Sequence, residues 1–324
     1  MHPHVRELLS AKFLVLYGYF ACVLYVHFRG QVRLRFGRQL SEHSGLFAPF
    51  NILMYAFSAV PRDPILDVEQ FPQTRVLRDN WTVIRDEARA LLDAGRIDYP
   101  ENVHDMAFVA FRRRGWKRFH MKWYGEFLPS AVSACPRTVE LLKQVPGLNA
   151  AAFTMLPPGK KLGKHRDPFA SSLRYHLGLV TPNDDRCRIW IDGHEYSWRD
   201  GKDIVFDETY IHWAENATDQ QRIILFCDLT RPLHTRVMRA FSSFMNRRVF
   251  KITASRNEVD EQAGLLNFGT PLVATLKNFF LRAKSFNRPL YYGLKFALVG
   301  ALLYFVFVRG FIDAGEAVAA AAAP

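Results

Sequence analysis

Residues 151–230 read AAFTMLPPGKKLGKHRDPFASSLRYHLGLVTPNDDRCRIWIDGHEYSWRDGKDIVFDETYIHWAENATDQQRIILFCDLT, and their rhythm decides the fold. Short runs rich in β-branched, aliphatic and aromatic residues (AAFTML, SLRYHLGLV, CRIWI, DIVF and RIILFCDL) are separated by PPGKK, TPNDD, DGHE, RDG and NATDQ. Gly, Pro, Asn and Asp supply turn geometry that strand residues resist, so the pattern predicts an all-β sandwich or barrel. Upstream the period lengthens. Asn80–Gly95, NWTVIRDEARALLDAG, carries apolar residues at helical spacing, with Asn80 placed as an N-cap and Gly95 as a stop. A second helix is expected after Pro136, in RTVELLKQV, ended by Pro146 and Gly147. The class is therefore α+β, helices flanking a β core.

Two runs outside this region have membrane character. Phe13–Phe28, FLVLYGYFACVLYVHF, is interrupted only by His27 and followed by Arg29, Arg33, Arg35 and Arg38. A bilayer core takes roughly 20 apolar residues, so the run reads as a short anchor, with a signal peptide or a buried core helix as alternatives. No small-residue cleavage site follows it. Leu290–Val308, LYYGLKFALVGALLYFVFV, reads as a transmembrane helix with Tyr291 and Tyr292 as interfacial aromatics. Arg282, Lys284 and Arg288 precede it, and this cluster, like the arginines after the first run, lies on the side of the intervening domain. By the positive-inside rule that domain faces the cytoplasm. Leu46–Val60, broken by Pro49 and Asn51, reads as a re-entrant element or an ordinary buried helix. Residues 236–256 interleave Arg236, Arg239, Arg247, Arg248, Lys251 and Arg256 with Val237, Phe241, Phe244, Val249 and Phe250, the pattern of a basic amphipathic surface element or a solvated helix.

Composition bounds the function. In 324 residues, 49% hydrophobic content excludes a disordered chain, and a formal charge of +12 calls for an anionic partner: nucleic acid, an anionic membrane surface or an acidic lipid. Cys22, Cys135, Cys187 and Cys227 form no CxxC pair, so they read as reduced residues, in keeping with a cytoplasmic domain.

His165 and Asp167 form an H-x-D pair on a loop between two strands, and His212 sits in DETYIHWAEN at the start of another. Either histidine alone would read as a surface or hydrogen-bonded residue. Together, two imidazoles and one carboxylate occupy one face of a metal and leave three positions open, the arrangement that non-haem iron(II) oxygenases use to take a keto acid and dioxygen together. Arg222, in the last strand, is placed to grip the far carboxylate of 2-oxoglutarate bidentately, which lysine does less well. Arg174 and His176 alternate with Leu173, Tyr175 and Leu177, so both point to one strand face, either lining the barrel or solvated.

LPPGKKLGKHRDP, SLRYHLGLVTP, the WRDGK segment, FDETYIHWAEN and RIILFCDLTRP together resemble the aspartyl/asparaginyl β-hydroxylase family. YVHFRG, FRRRGWKRF and KWYG make the chain most similar to its bacterial lipid A 2-hydroxylase branch. The resemblance implies a double-stranded β-helix (jelly-roll) oxygenase core, to which the residues read above add flanking helices and membrane segments at both ends. It implies Fe(II) as cofactor, with 2-oxoglutarate and O2 as cosubstrates. The iron ligands fall on His165, Asp167 and His212, and the cosubstrate residues on Thr154, Arg174, His176 and Arg222. The animal peptide hydroxylases have glycine where this chain has Asp167, and serine where it has Thr154, so their substrate is not carried over.

The expected organisation is an N-terminal anchor at 1–30, a membrane-proximal segment at 31–77, a helical flank at 78–149 and the jelly-roll core at 150–233. A basic membrane-proximal segment follows at 234–287, a transmembrane segment at 288–312 and a low-complexity tail at 313–324. The implied activity is 2-hydroxylation of an acyl chain of lipid A at the bacterial inner membrane. Another acyl lipid, such as ornithine lipid, or a peptide Asp or Asn are the alternatives. Arg112, Arg113, Arg114, Lys117, Arg118 and Lys122, with Trp116 and Trp123, suit the phosphates of an anionic headgroup. No nucleic-acid motif accompanies the basic residues, which weighs against a nucleic-acid binder or a non-catalytic scaffold.

Overall fold

The computed structural model describes residues 3–41, 43–98, 114–258 and 284–309, with a few single positions between 260 and 282 and at 312. Two compact units divide it. One is Tyr25–Phe268, and the other combines Met1–Leu24 with Gly269–Pro324.

Ten strands are described, all in the larger unit: β1 Ile65–Leu66, β2 Lys117–Trp123, β3 Leu148–Leu156, β4 Lys161–His165, β5 Ser172–Val180, β6 Cys187–Ile191, β7 His194–Ser197, β8 Asp203–Phe206, β9 His212–Asn216 and β10 Arg222–Thr230. The larger sheet runs β1-β8-β5-β10-β3-β2 and the smaller β4-β9-β6-β7, with every pairing antiparallel. From β3 onward the chain passes repeatedly from one sheet to the other, and each sheet holds four of the eight strands β3–β10. That strand order is a jelly roll, so the expected β core is present, with β1 and β2 added to the edges of its larger sheet.

Sequence alternation sorts the two faces of β10. Ile223, Leu225, Cys227 and Leu229 join Ile84, Ala88 and Leu91 in the outer core, where the helix Trp81–Asp93 covers the larger sheet. The helical spacing of those three residues puts them on one stripe. Arg222, Ile224, Phe226 and Asp228 face the other way, toward the inter-sheet cavity. With both faces covered, β3, β5 and β10 are buried almost end to end, whereas β7 is largely exposed or half-buried. At Gly178 the β5–β10 register shifts, and an added Cβ would lie 2.0 Å from the Arg199 carbonyl oxygen, so only glycine fits.

Several expectations change. Asn80 does not cap the helix it precedes. Its side-chain amide donates instead to the Val76 carbonyl at 2.8 Å, closing the preceding helix Arg75–Asp79. The second helix is present as Pro136–Lys143. The segments at 31–77 and 78–149 fall with the core in Tyr25–Phe268, where β1 and β2 pair with core strands. Within 46–60 the helix Ala48–Ala56 buries Phe50, Asn51, Met54 and Tyr55, and Asn51 bonds the Pro168 carbonyl and the Ala170 amide, as an ordinary packed helix does. Residues Arg236–Phe244 form a helix that buries Met238 and Ser242 and exposes Arg236, Val237, Arg239, Phe241 and Phe244.

The basic cluster is not one surface. Arg112 and Arg113 lie outside the described residues. Arg118 is fully buried on β2, donating to Asn257 and Ser255, while Trp116 and Trp123 line the cavity. A strand sends neighbours to opposite faces, so a run that looks uniformly basic in sequence is divided in space. All four cysteines are free thiols. Ala11–Phe28 and Arg288–Val308 are helices long and apolar enough to cross a membrane. The tail at 313–324 lies outside the described residues.

Candidate active site

His165 ends β4 and His212 begins β9, and the two are direct register partners in the smaller sheet. Their ring centroids lie 4.2 Å apart. Asp167 follows two residues after His165, its backbone amide held by the Glu208 carbonyl at 2.9 Å. Ligand atoms of His165, Asp167 and His212 all fall within 4.8 Å of one another. Each histidine engages a backbone carbonyl through Nδ1, His165 with Gly163 at 2.7 Å and His212 with Tyr210 at 3.0 Å. Donation from Nδ1–H fixes the tautomer that carries its lone pair on Nε2, the nitrogen a metal requires.

The electrostatics favour metal-ready ligands. Burial pushes the His212 imidazole down to about 3, with the His165 ring adding to the shift, and burial lowers His165 as well. Both are neutral near pH 7. Burial alone would raise the Asp167 carboxyl, but Arg174, joined at low pH by the imidazoles once protonated, outweighs it and holds the group below the usual carboxylate range. Two neutral imidazoles and one ionised carboxylate form a donor set that fits iron(II).

A cavity of about 550 Å³ opens between the sheets, and all seven residues singled out in the sequence line it: Thr154, His165, Asp167, Arg174, His176, His212 and Arg222. Their surroundings differ. Arg174 is committed to carboxylates, donating to Asp228 Oδ1 and Asp167 Oδ2 at 2.7 and 2.8 Å, pairing also with Glu208, and lying 3.7 Å from the Phe226 ring centre. Burial raises the carboxyls of Glu208 and Asp228, and Arg174 offsets part of that rise. Sequence reasoning missed both acids. Asp228 stands directly opposite Arg174 across the β5–β10 pair, a relation visible only once the register is known.

Arg222 contrasts with Arg174. It is 2% exposed, its Nε has no hydrogen-bond partner, and no carboxylate pairs with it among the described residues. Its guanidinium carbon lies 4.3 Å from the centre of the Trp198 ring, and burial pushes its pKa down to about 10. Both ring nitrogens of His176 and Nε1 of Trp198 also lack partners. Burial, then Arg174 and Arg222, push the His176 imidazole well below its ordinary value. An unsatisfied buried polar group costs about 1–3 kcal/mol, and a charged one more. One cavity wall thus carries a cation and several unmatched polar atoms that an anionic, hydrogen-bond-accepting ligand would satisfy.

Residues 78–232 match the family model described as Aspartyl/Asparaginyl beta-hydroxylase. The ornithine lipid ester-linked acyl 2-hydroxylase of Rhizobium tropici is 31% identical over 197 residues, which cover 60% of this chain and 70% of that protein. The chain belongs to the aspartyl/asparaginyl beta-hydroxylase family. It is accordingly a hydroxylase-type enzyme. The human aspartyl/asparaginyl beta-hydroxylase is 28% identical over 163 residues, 48% of this chain but only 21% of the human protein. Among solved structures, a Pseudomonas putida prolyl-4-hydroxylase aligns with a TM-score of 0.32 at 18% identity, over 48% of this chain and 88% of that one.

Proposed function

We propose that this chain is an iron(II)- and 2-oxoglutarate-dependent hydroxylase that acts on the 2-position of a fatty acyl chain of an anionic membrane lipid, with lipid A as the leading substrate. The observation that carries the cosubstrate assignment is Arg222, a buried guanidinium without a carboxylate partner, set in the same cavity as the His165–Asp167–His212 group. His165, Asp167 and His212 hold the metal. When bound, iron(II) with a keto acid and dioxygen supplies the oxidising power to hydroxylate an unactivated C–H bond.

The remaining residues bind and orient. Arg222, aided by Thr154 from the same cavity lining, takes the far carboxylate of 2-oxoglutarate, and His176 and Trp198 offer it further polar contacts. Arg174 fixes the Asp167 carboxylate through its 2.8 Å bond. Trp116, Trp123, Leu162, Phe169, Ile189 and Trp213 give the cavity an aromatic and aliphatic wall. Such a wall suits an acyl chain and excludes water.

Attachment to the bacterial inner membrane, with the larger unit on the cytoplasmic side, is supported by the apolar helices Ala11–Phe28 and Arg288–Val308 and the flanking arginines. A second reading, an ornithine lipid as substrate, is favoured by the name of the Rhizobium relative. Mass spectrometry of total lipids from bacteria expressing the wild type or His165→Ala tests both. One added oxygen on a lipid A acyl chain, present only with the wild type, supports the first reading; the same addition on an aminolipid supports the second. With 2-oxoglutarate turnover but no oxidised lipid, both lipid readings fall.

A further inference from the structure

Val26–Val32, VHFRGQV, straddles the end of the first long helix, and several of its contacts reach the loops that carry the metal ligands. Arg29 is the centre of it. Its guanidinium donates to Asp207 Oδ2 at 2.5 Å and to Thr209 Oγ1 at 2.8 Å. It lies between two aromatic rings, 3.8 Å from Tyr55 and 4.0 Å from Tyr210. Asp207, fully buried, also receives Arg231 at 2.8 Å and the Thr209 amide at 3.0 Å. Burial would raise its carboxyl, but Arg29 and Arg231 together hold it below the usual carboxylate range.

Tyr210 is the link to the metal site. Its ring packs on Arg29, and its carbonyl orients His212 through Nδ1 at 3.0 Å. Two more contacts reach the segments that carry the ligands. Arg166, the residue between His165 and Asp167, donates to the Val26 carbonyl at 2.8 Å. Asp192 accepts from the Gln31 and Val32 amides at 2.9 and 2.8 Å, and its own amide donates at 2.8 Å to Ile211, the neighbour of His212. Gly30 is required by this clasp, since a Cβ there would lie 2.6 Å from Asp192 Oδ1.

We propose that Val26–Val32 is a strap that sets the geometry of the metal site, with Arg29 as its principal positioning residue, acting on His212 through Asp207, Thr209 and Tyr210. The inference rests on the metal-site reading above. Groups that orient metal ligands from the second layer change metal affinity by about 10–100-fold when removed. The strap achieves this from a segment far from His212 in sequence, and it makes metal affinity depend on residues next to the N-terminal helix.

The test uses the full chain in detergent and Mn(II) alone, without oxygen or cosubstrate. Free Mn(II) and the line shape of bound Mn(II) are read by electron paramagnetic resonance. Arg29→Met is expected to weaken Mn(II) binding about tenfold or more and to alter the bound spectrum, at temperatures well below a melting transition that stays cooperative. Arg29→Lys, which keeps the charge beside Asp207 but not the planar stack, is expected to recover part of the loss. Gly30→Ala, displacing Asp192, serves as an independent variant if Arg29→Met fails to fold, with loss of affinity expected again. Wild-type affinity and line shape in folded Arg29→Met, or in Gly30→Ala, would overturn the strap. His212→Ala separates the two levels: Mn(II) binding by it equal to the wild type would overturn the metal-site reading itself, and the strap with it.

Discussion

Replacing Arg222 by Met should stabilise the free protein while removing its response to 2-oxoglutarate. The folded guanidinium titrates near 10 against an ordinary value of 12.5. Below pH 10 the folded chain is therefore made to carry a proton that the unfolded chain binds more tightly, and the cost is fully present at neutral pH. A gap of that size corresponds to about 3 kcal/mol. The Trp198 face returns about 1–2 kcal/mol as a cation–π contact, leaving a net cost of about 1–2 kcal/mol. Methionine keeps the length and packs on the same ring without the charge. At about 2–4 °C per kcal/mol, the variant should melt about 2–8 °C above the wild type. The wild type should gain stability as 2-oxoglutarate is titrated, and the variant should bind it about 100-fold more weakly, the scale for losing one partner of a buried charge pair. Thermal melts of the full chain with Mn(II), over a range of 2-oxoglutarate concentrations, read both quantities. A variant that melts below the wild type, or that keeps the rise with 2-oxoglutarate, would refute the reasoning.

Asp167→Ala should abolish coupled formation of succinate and hydroxylated lipid, and also strip Arg174 of one of its three carboxylates; succinate release and lipid mass read the outcome, and wild-type coupling would remove Asp167 from the metal site. Because His120 and His176 are held well below their ordinary value by burial, they stay neutral in the folded chain while the unfolded chain protonates near 6.5. Stability should then fall as pH drops below about 6.5, each group contributing up to about 1.4 kcal/mol per pH unit. Chemical denaturation between pH 8 and 5 measures this, and His176→Gln should flatten the slope. Gly178→Ala should destabilise by about 1–3 kcal/mol or prevent folding, since backbone rather than a movable side chain stands in the way; an unchanged melt would show that the turn at Arg199 yields.

The part of the fold legible in the sequence is the part whose signal is local. Hydrophobic runs and turn residues marked β3, β5, β6, β8 and β10, and the H-x-D pair with its distant histidine marked three side chains that the fold brings together. The polar strands β4, β7 and β9 were less visible because one face meets solvent or the cavity, so charged residues interrupt the apolar run. Arg118 was misread for a different reason. What lets a guanidinium sit buried there is Asn257 and Ser255, more than a hundred residues away. Glu208 and Asp228 escaped notice because their proximity to Arg174 is created by the loop before β9 and the register of β10. Asn80 was assigned to the wrong helix because an Asn between two helices serves either end equally well by sequence.

His165 and His212 face each other across adjacent strands, but β9 follows β4 only after four intervening strands. During synthesis the H-x-D half therefore leaves the ribosome with no second imidazole, and the cluster closes only when the smaller sheet zips shut. On the proposed reading, metal capture is a late event, a rivet set after the plates are aligned rather than a seed around which they gather. The nascent chain would, on that reading, hold no complete ferrous centre while its oxidisable thiols and tryptophans are still unfolded.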